Sequence, residues 1–139
     1  MQMTLDLALR MIEAARGKAR EIGIPMVIAI VDAGGNPVAQ QRMDNALLVS
    51  IGISLNKAYT AVALTLPTHE LAPLAQPDQP LFGIHNAEGG RIVIFGGGFP
   101  LKADGVIIGG IGVSGGSVEQ DMDCAAAAIK LLEQMLHDS

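Results

Sequence analysis

Five glycines fall within eight residues in Gly109-Gly110-Ile111-Gly112-Val113-Ser114-Gly115-Gly116, and no other segment restricts the fold of this chain so strongly. The segment follows an apolar run, Val106–Ile108, and precedes a helical pattern that opens at Ser117. Gly110 to Gly115 fit the dinucleotide fingerprint G-x-G-x-x-G. That fingerprint needs a second strand after the helix and an acidic residue about twenty positions on. The helical pattern here ends near Leu136 and leaves only His137, Asp138 and Ser139. Glu119, Asp121 and Asp123 would also repel a pyrophosphate at the helix start. Ser117-Val118-Glu119-Gln120 instead reads as a capping box, with the acids suited to the positive end of the helix dipole. The glycines are therefore expected to serve backbone geometry: a bulge, or close approach by another backbone, from a neighbouring subunit or against a flat ligand.

The remaining elements follow from periodicity. Thr4 is the expected N-cap of a first helix with Leu5, Leu9, Ile12 and Ala15 or Arg16 on one stripe, stopped by Gly23 and Pro25. Met26–Val31 reads as a strand covered on both faces, Asp32–Asn36 as a turn and Pro37–Met43 as the hairpin partner. A second helix is predicted over residues 46–66, with Leu47, Ile51, Leu55, Ala58 and Val62 facing inward and Lys57 off that stripe. Short-helix and loop material follows, with four prolines from Pro67 to Pro80. Arg91–Phe95 reads as a strand, and Phe99–Lys102 and Val106–Val113 as a hairpin around Ala103-Asp104-Gly105. The order α-β-β-α-β-β-β-α predicts one α/β domain over residues 1–139, with a five-stranded, mostly antiparallel sheet between helices.

Composition narrows the function. The net charge of −5 argues against a nucleic-acid partner. One cysteine excludes an internal disulfide. The N-terminus lacks the features of a secretory signal and no run is long enough to span a membrane, so a cytoplasmic protein without membrane contact is expected. Only 17% of residues are charged, which predicts surface buried against partner chains.

"VDAGG" (Val31–Gly35), "RMD" (Arg42–Asp44), "KAYTAVAL" (Lys57–Leu64), "THEL" (Thr68–Leu71), "DGVIIGGIGVSGGSVEQD" (Asp104–Asp121) and the alanine-rich final helix occur in one order. The set resembles the family of GlcG, the haem-binding protein HbpS and the C-terminal domain of PduO, over about Leu5 to Leu136. "FGGG" and "SGGSVEQDMD" bring it nearest to the PduO domain. The resemblance implies a profilin-like three-layer α/β/α sandwich and a homo-oligomer, often an octamer. It also implies handling of a tetrapyrrole, haem or a cobalamin-like corrinoid, in an accessory role to cobalamin-dependent diol or glycerol metabolism. The resemblance places the adenosyltransferase activity of PduO in its N-terminal helical domain, outside the matching region, so that activity is not expected here. Some relatives offer an axial histidine from the first helix; the matching region here holds Lys18 and no histidine. A lysine ligates only when neutral, against a reference pKa near 10.4.

His69 and His85 are the first candidates for a side-chain ligand to a metal or haem iron, since imidazole is the usual axial ligand. Thr68 is read as the cap of the short helix carrying His69, and His137 lies in a tail prone to fray. Arg42 and Lys57 are candidate partners for propionates or a small carboxylate; the alternative is a solvated charge or an internal ion pair, such as Arg42 with Asp44. Gly97 and Gly98 offer close backbone approach to a ligand, or plain hairpin geometry. Two further readings stand beside the tetrapyrrole module. One is a small-metabolite enzyme with Lys57, Glu119 and Asp121 lining a subunit-interface pocket; the other is a non-catalytic assembly domain. No catalytic set can be assembled from the sequence.

Overall fold

The computed structural model describes residues 1–138. Four helices and four strands follow in the order α1 (Leu5–Ile22), β1 (Val27–Asp32), β2 (Pro37–Arg42), α2 (Val49–Leu64), α3 (Thr68–Leu71), β3 (Gly98–Ala103), β4 (Val106–Ser114) and α4 (Val118–His137). Short 3-10 turns at Ala72–Ala75 and Ile84–Gly90 fill the long connection after α3. The strands form one antiparallel sheet in the order β2-β1-β4-β3. α1 and α4 pack together on one face, and α2 covers the other against β4, β1 and β3.

Local chemistry sets the ends of the helices. Thr4 caps α1 by accepting from the Leu7 N–H at 3.1 Å, and Gly23 closes it in the left-handed region at φ 83°. The expected capping box opens α4. The Ser117 hydroxyl accepts from the Gln120 N–H at 3.1 Å, and the Gln120 side chain accepts from the Ser117 N–H at 2.9 Å. Asp104 and Gly105 both take positive φ, 51° and 79°, as a tight hairpin turn requires. On the α1/α4 face, Ile28, Ile30, Leu101, Ile111 and Val113 meet Met11, Ile12, Cys124, Ala125 and Ala128 in the main core.

Three expectations require correction. The sheet has four strands rather than five, because residues 91–95 do not join it. Their backbone is tied instead to a side chain of α2: the Thr60 hydroxyl donates to the Arg91 carbonyl at 3.2 Å and accepts from the Val93 N–H at 3.0 Å. In α1 the buried stripe is Leu7, Ala8, Met11, Ile12, Ala15 and Ala19, while Leu5 and Leu9 are exposed. In α2, Ala58 is buried as expected and Ile51, Leu55 and Val62 are half-buried, but Leu47 is exposed just before the helix, and Ser50, Ser54, Lys57, Thr60 and Ala61 make up the rest of the buried side.

The burial of small and slender residues in α2 has a steric cause in β4. A Cβ on Gly110 would sit 2.7 Å from the Ala58 carbonyl oxygen, and one on Gly112 would collide with the Ser54 carbonyl oxygen. The glycine surface lets the helix backbone press onto the sheet, with mostly small or slender side chains and Val62 between them. The close approach expected of these glycines is thus made by α2 of the same chain.

Candidate functional site

Lys57 projects from α2 toward the end of β4, where the glycine surface leaves room for its slender stem. Its ammonium donates to the Val113 carbonyl at 2.8 Å and to Asp121 Oδ2 at 2.9 Å. The two side chains are 0% and 4% exposed. Asp121 Oδ1 accepts from the Gly116 N–H at 2.9 Å, and the Phe95 ring centroid lies 5.1 Å from the ammonium. Gly97, at φ +123°, completes the enclosure, since a Cβ there would lie 2.6 Å from Lys57 Nζ.

Burial pushes the Lys57 ammonium below the ordinary lysine range, against the pull of the Asp121 charge. It likewise pushes the Asp121 carboxyl up, against Lys57 and the donors at Gly116 and Gly115. Next to this pair, burial raises the Cys124 thiol to about 11, with Asp121 and Asp123 adding to the shift. That leaves Cys124 a packing residue rather than a nucleophile.

Thr68 is not the helix cap expected from sequence. Pro67 occupies the cap position, and the fully buried Thr68 hydroxyl accepts from the Gly98 N–H at 2.9 Å. It therefore pins α3 to the start of β3. A Cβ on Gly98 would collide with the Lys57 carbonyl and lie 2.8 Å from Thr68 Cγ2. The fold thus brings Lys57, Thr68, Gly97 and Gly98 into one packed cluster.

His69 follows directly, with its ring 5.4 Å from that of Phe99 and its Cβ 3.0 Å from where a Gly96 side chain would begin. His85 lies in the Ile84–Gly90 turn, 5.9 Å from the Phe82 ring. In both histidines Nδ1 is buried without a hydrogen-bond partner. No group of three or more His, Cys, Asp or Glu able to hold a metal ion occurs among the described residues.

Arg42 lies at the other edge of the sheet. Its guanidinium donates twice to the Ala46 carbonyl, at 3.2 and 2.9 Å, and not to Asp44. It lines a cavity with Arg16, Arg20, Gln41, Met43 and Asp44. Glu119 is exposed at the start of α4, whereas Lys57 and Asp121 are closed upon each other. These three do not line a common pocket.

Sequence reading allowed Lys57 an internal ion pair without naming Asp121 as its partner, and it missed the arginine cavity. The first had a signal. Ser50, Ser54, Lys57 and Ala61 recur at helical spacing as a second stripe of small or slender residues that matches the glycines of β4. The second had none, because Arg42 lies on β2 and no sequence pattern ties it to Arg16 and Arg20 on α1.

The family model described as "Haem degrading protein HbpS-like" matches residues 3–130. A 15.0 kDa protein from the dhaT-dhaS intergenic region of Citrobacter freundii is 47% identical over 133 residues, 96% of this chain and 94% of that protein. The corrinoid adenosyltransferase PduO of Salmonella typhimurium is 47% identical over 124 residues; these are 89% of this chain but only 37% of that protein. Klebsiella pneumoniae ORFY superposes with a TM-score of 0.93 at 44% identity, over 96% of this chain and 92% of that one. A PduOC:haem complex superposes with a TM-score of 0.90 at 44% identity, over 94% of both chains. The Escherichia coli protein GlcG is 30% identical over 81% of each chain. With its order of elements, its glycine-faced strand and its sequence matched nearly end to end, the chain belongs to the HbpS-like family, close to the C-terminal domain of PduO.

Proposed function

We propose that this protein is a tetrapyrrole-binding module that takes haem and works in the cytoplasm as a homo-oligomer. The observation that carries the reading is the pair of orphaned ring nitrogens, Nδ1 of His69 and of His85. A buried polar atom without a partner costs about 1–3 kcal/mol, so native structures retain few without a reason. A ligand that engages and reorients the imidazole relieves that cost, and in this respect the residues present fit haem. Haem would supply an iron that an imidazole nitrogen can ligate. His69 or His85 would hold it. Phe82, 59% exposed beside His85, would cover the porphyrin face. Thr68, Gly97 and Gly98 would build the wall behind His69, and Lys57 would remain committed to Asp121.

The similarity to the PduOC:haem complex supports the same ligand. A corrinoid is the other member of the class, supported by the likeness to part of PduO, and with it an accessory role beside cobalamin-dependent diol or glycerol metabolism. Association is supported by the apolar Leu47-Leu48-Val49 segment, whose side chains are 59–74% exposed. The test is a haemin titration of the wild type, His69→Ala, His85→Ala and Lys18→Ala. One histidine variant is expected to lose the ligated Soret band, and Lys18→Ala to keep it. A wild-type spectrum in both histidine variants, or no band in the wild type, overturns the reading.

A further inference from the structure

The five arginines of the chain are not spread evenly. Arg16, Arg20 and Arg42 line one cavity of about 340 Å³ between the C-terminal half of α1 and the end of β2, together with Gln41, Met43 and Asp44. This concentration occurs on a chain of net charge −5, so it is not part of a generally basic surface.

All three guanidinium groups are held by neighbours, Arg20 by Glu13 Oε1 at 3.4 and 3.5 Å. Arg42 is fixed by its double bond to the Ala46 carbonyl, and Arg16 donates to Gln41 Oε1 at 3.1 Å. Both retain N–H donors beyond those bonds, because a guanidinium carries five. The anions on hand do not match the cations. Glu13 is shared between Arg16, at 3.5 Å, and Arg20, at 3.4 Å. Asp44 lines the cavity and forms no ion pair among the described residues, and the same holds for Arg42. Preorganised guanidinium forks with donors to spare match the oxygens of a carboxylate or a phosphate.

We propose that this cavity is a binding site for a small oxyanion, a di- or tricarboxylate or a phosphate, taken by Arg42 and Arg16 with Arg20 at the rim. It lies at the sheet edge opposite His69 and stands independently of the tetrapyrrole reading.

The experiment is calorimetric titration of haem-free protein with malonate, with citrate and with inorganic phosphate at constant ionic strength. At least one probe is expected to bind saturably at a single site, and the three separate carboxylate from phosphate chemistry. Arg42→Gln and Arg16→Gln are each expected to weaken binding about tenfold or more, as befits loss of a charge-assisted pair. Arg20→Gln, at the exposed rim, covers the case in which either of those variants fails to fold. Lys130→Gln, on the exposed face of α4, is expected to stay within about twofold of wild type. No saturable heat from any probe overturns the proposal. So does equal weakening by Lys130→Gln and the arginine variants, which would mark a diffuse charge effect.

Discussion

Lys57 is the residue on which the interior turns, because a fully buried ammonium persists only with a partner. Breaking a buried pair strands a charge and costs about 3–5 kcal/mol, while replacing both members by apolar residues is often neutral or stabilising. Lys57→Met is therefore expected to lower stability by about that amount, and Lys57→Met/Asp121→Leu to recover most of it, as urea denaturation would show. The pH dependence follows from the two shifts. Asp121 is raised, so its stabilising contribution is full below the unfolded value of 3.8 and is lost as pH rises through the folded value. Lys57 is lowered, so its contribution is full above 10.5 and is lost as pH falls through the folded value. The stability of wild type relative to the apolar double variant is thus expected to be least near neutral pH and to improve toward both ends. A flat difference across that range would mean that the pair does not titrate as its burial demands.

Among the elements, α2 and α4 show opposite relations between sequence and packing. The α4 start is local, since its capping box lies wholly within Ser117–Gln120. Ser117→Ala is expected to cost about 1 kcal/mol, read as a drop of roughly 4–8 °C in Tm. The position of α2 is set by the strand beneath it. Gly112→Ala would drive a methyl into the Ser54 carbonyl and within 2.7 Å of the Ala58 N, two backbone groups with little freedom to move. The expected cost is about 1–3 kcal/mol or more, as for other overpacked cores. Gly17→Ala is the contrasting case. Gly17 is exposed within α1 with nothing within 4 Å of a new Cβ, and the variant is expected to gain about 0.5–1 kcal/mol. Thermal melts of the two variants moving in the same direction would refute the close-approach account of the β4 glycines.

For the whole molecule, the distribution of apolar surface is the informative quantity. α2 faces its own sheet with small and polar side chains, while the segment leading into it leaves Leu47, Leu48 and Val49 outside. Two of the three phenylalanines, Phe82 and Phe95, are also exposed. An apolar surface of this kind is expected to be covered by a second copy, and a credible interface buries more than about 1,000 Å². Sedimentation of the wild type is expected to show an oligomer at micromolar concentration, and Leu48→Glu/Val49→Glu to shift it toward monomer. A monomeric wild type would contradict the expectation directly.

The sequence by itself determined what depends on neighbouring residues. The caps at Thr4 and Ser117, the Gly23 stop, the Asp104-Gly105 turn and the antiparallel hairpins are written in short segments and stand as read. Only tertiary structure decided which side of each helix turned inward. The apolar line through Leu47 and Ile51 and the small-residue line through Ser50 and Ser54 both satisfy helical periodicity, and the glycine face of β4 selected the second. It also decided the fate of residues 91–95, apolar enough for a strand yet captured by the Thr60 hydroxyl. Lys57 and Asp121 are 64 positions apart, and Arg16 and Arg42 lie on different elements. Their meeting is a property of the packed chain: helical spacing shows that Lys57 turns inward, but electrostatic contacts act across space and no sequence pattern names the partner.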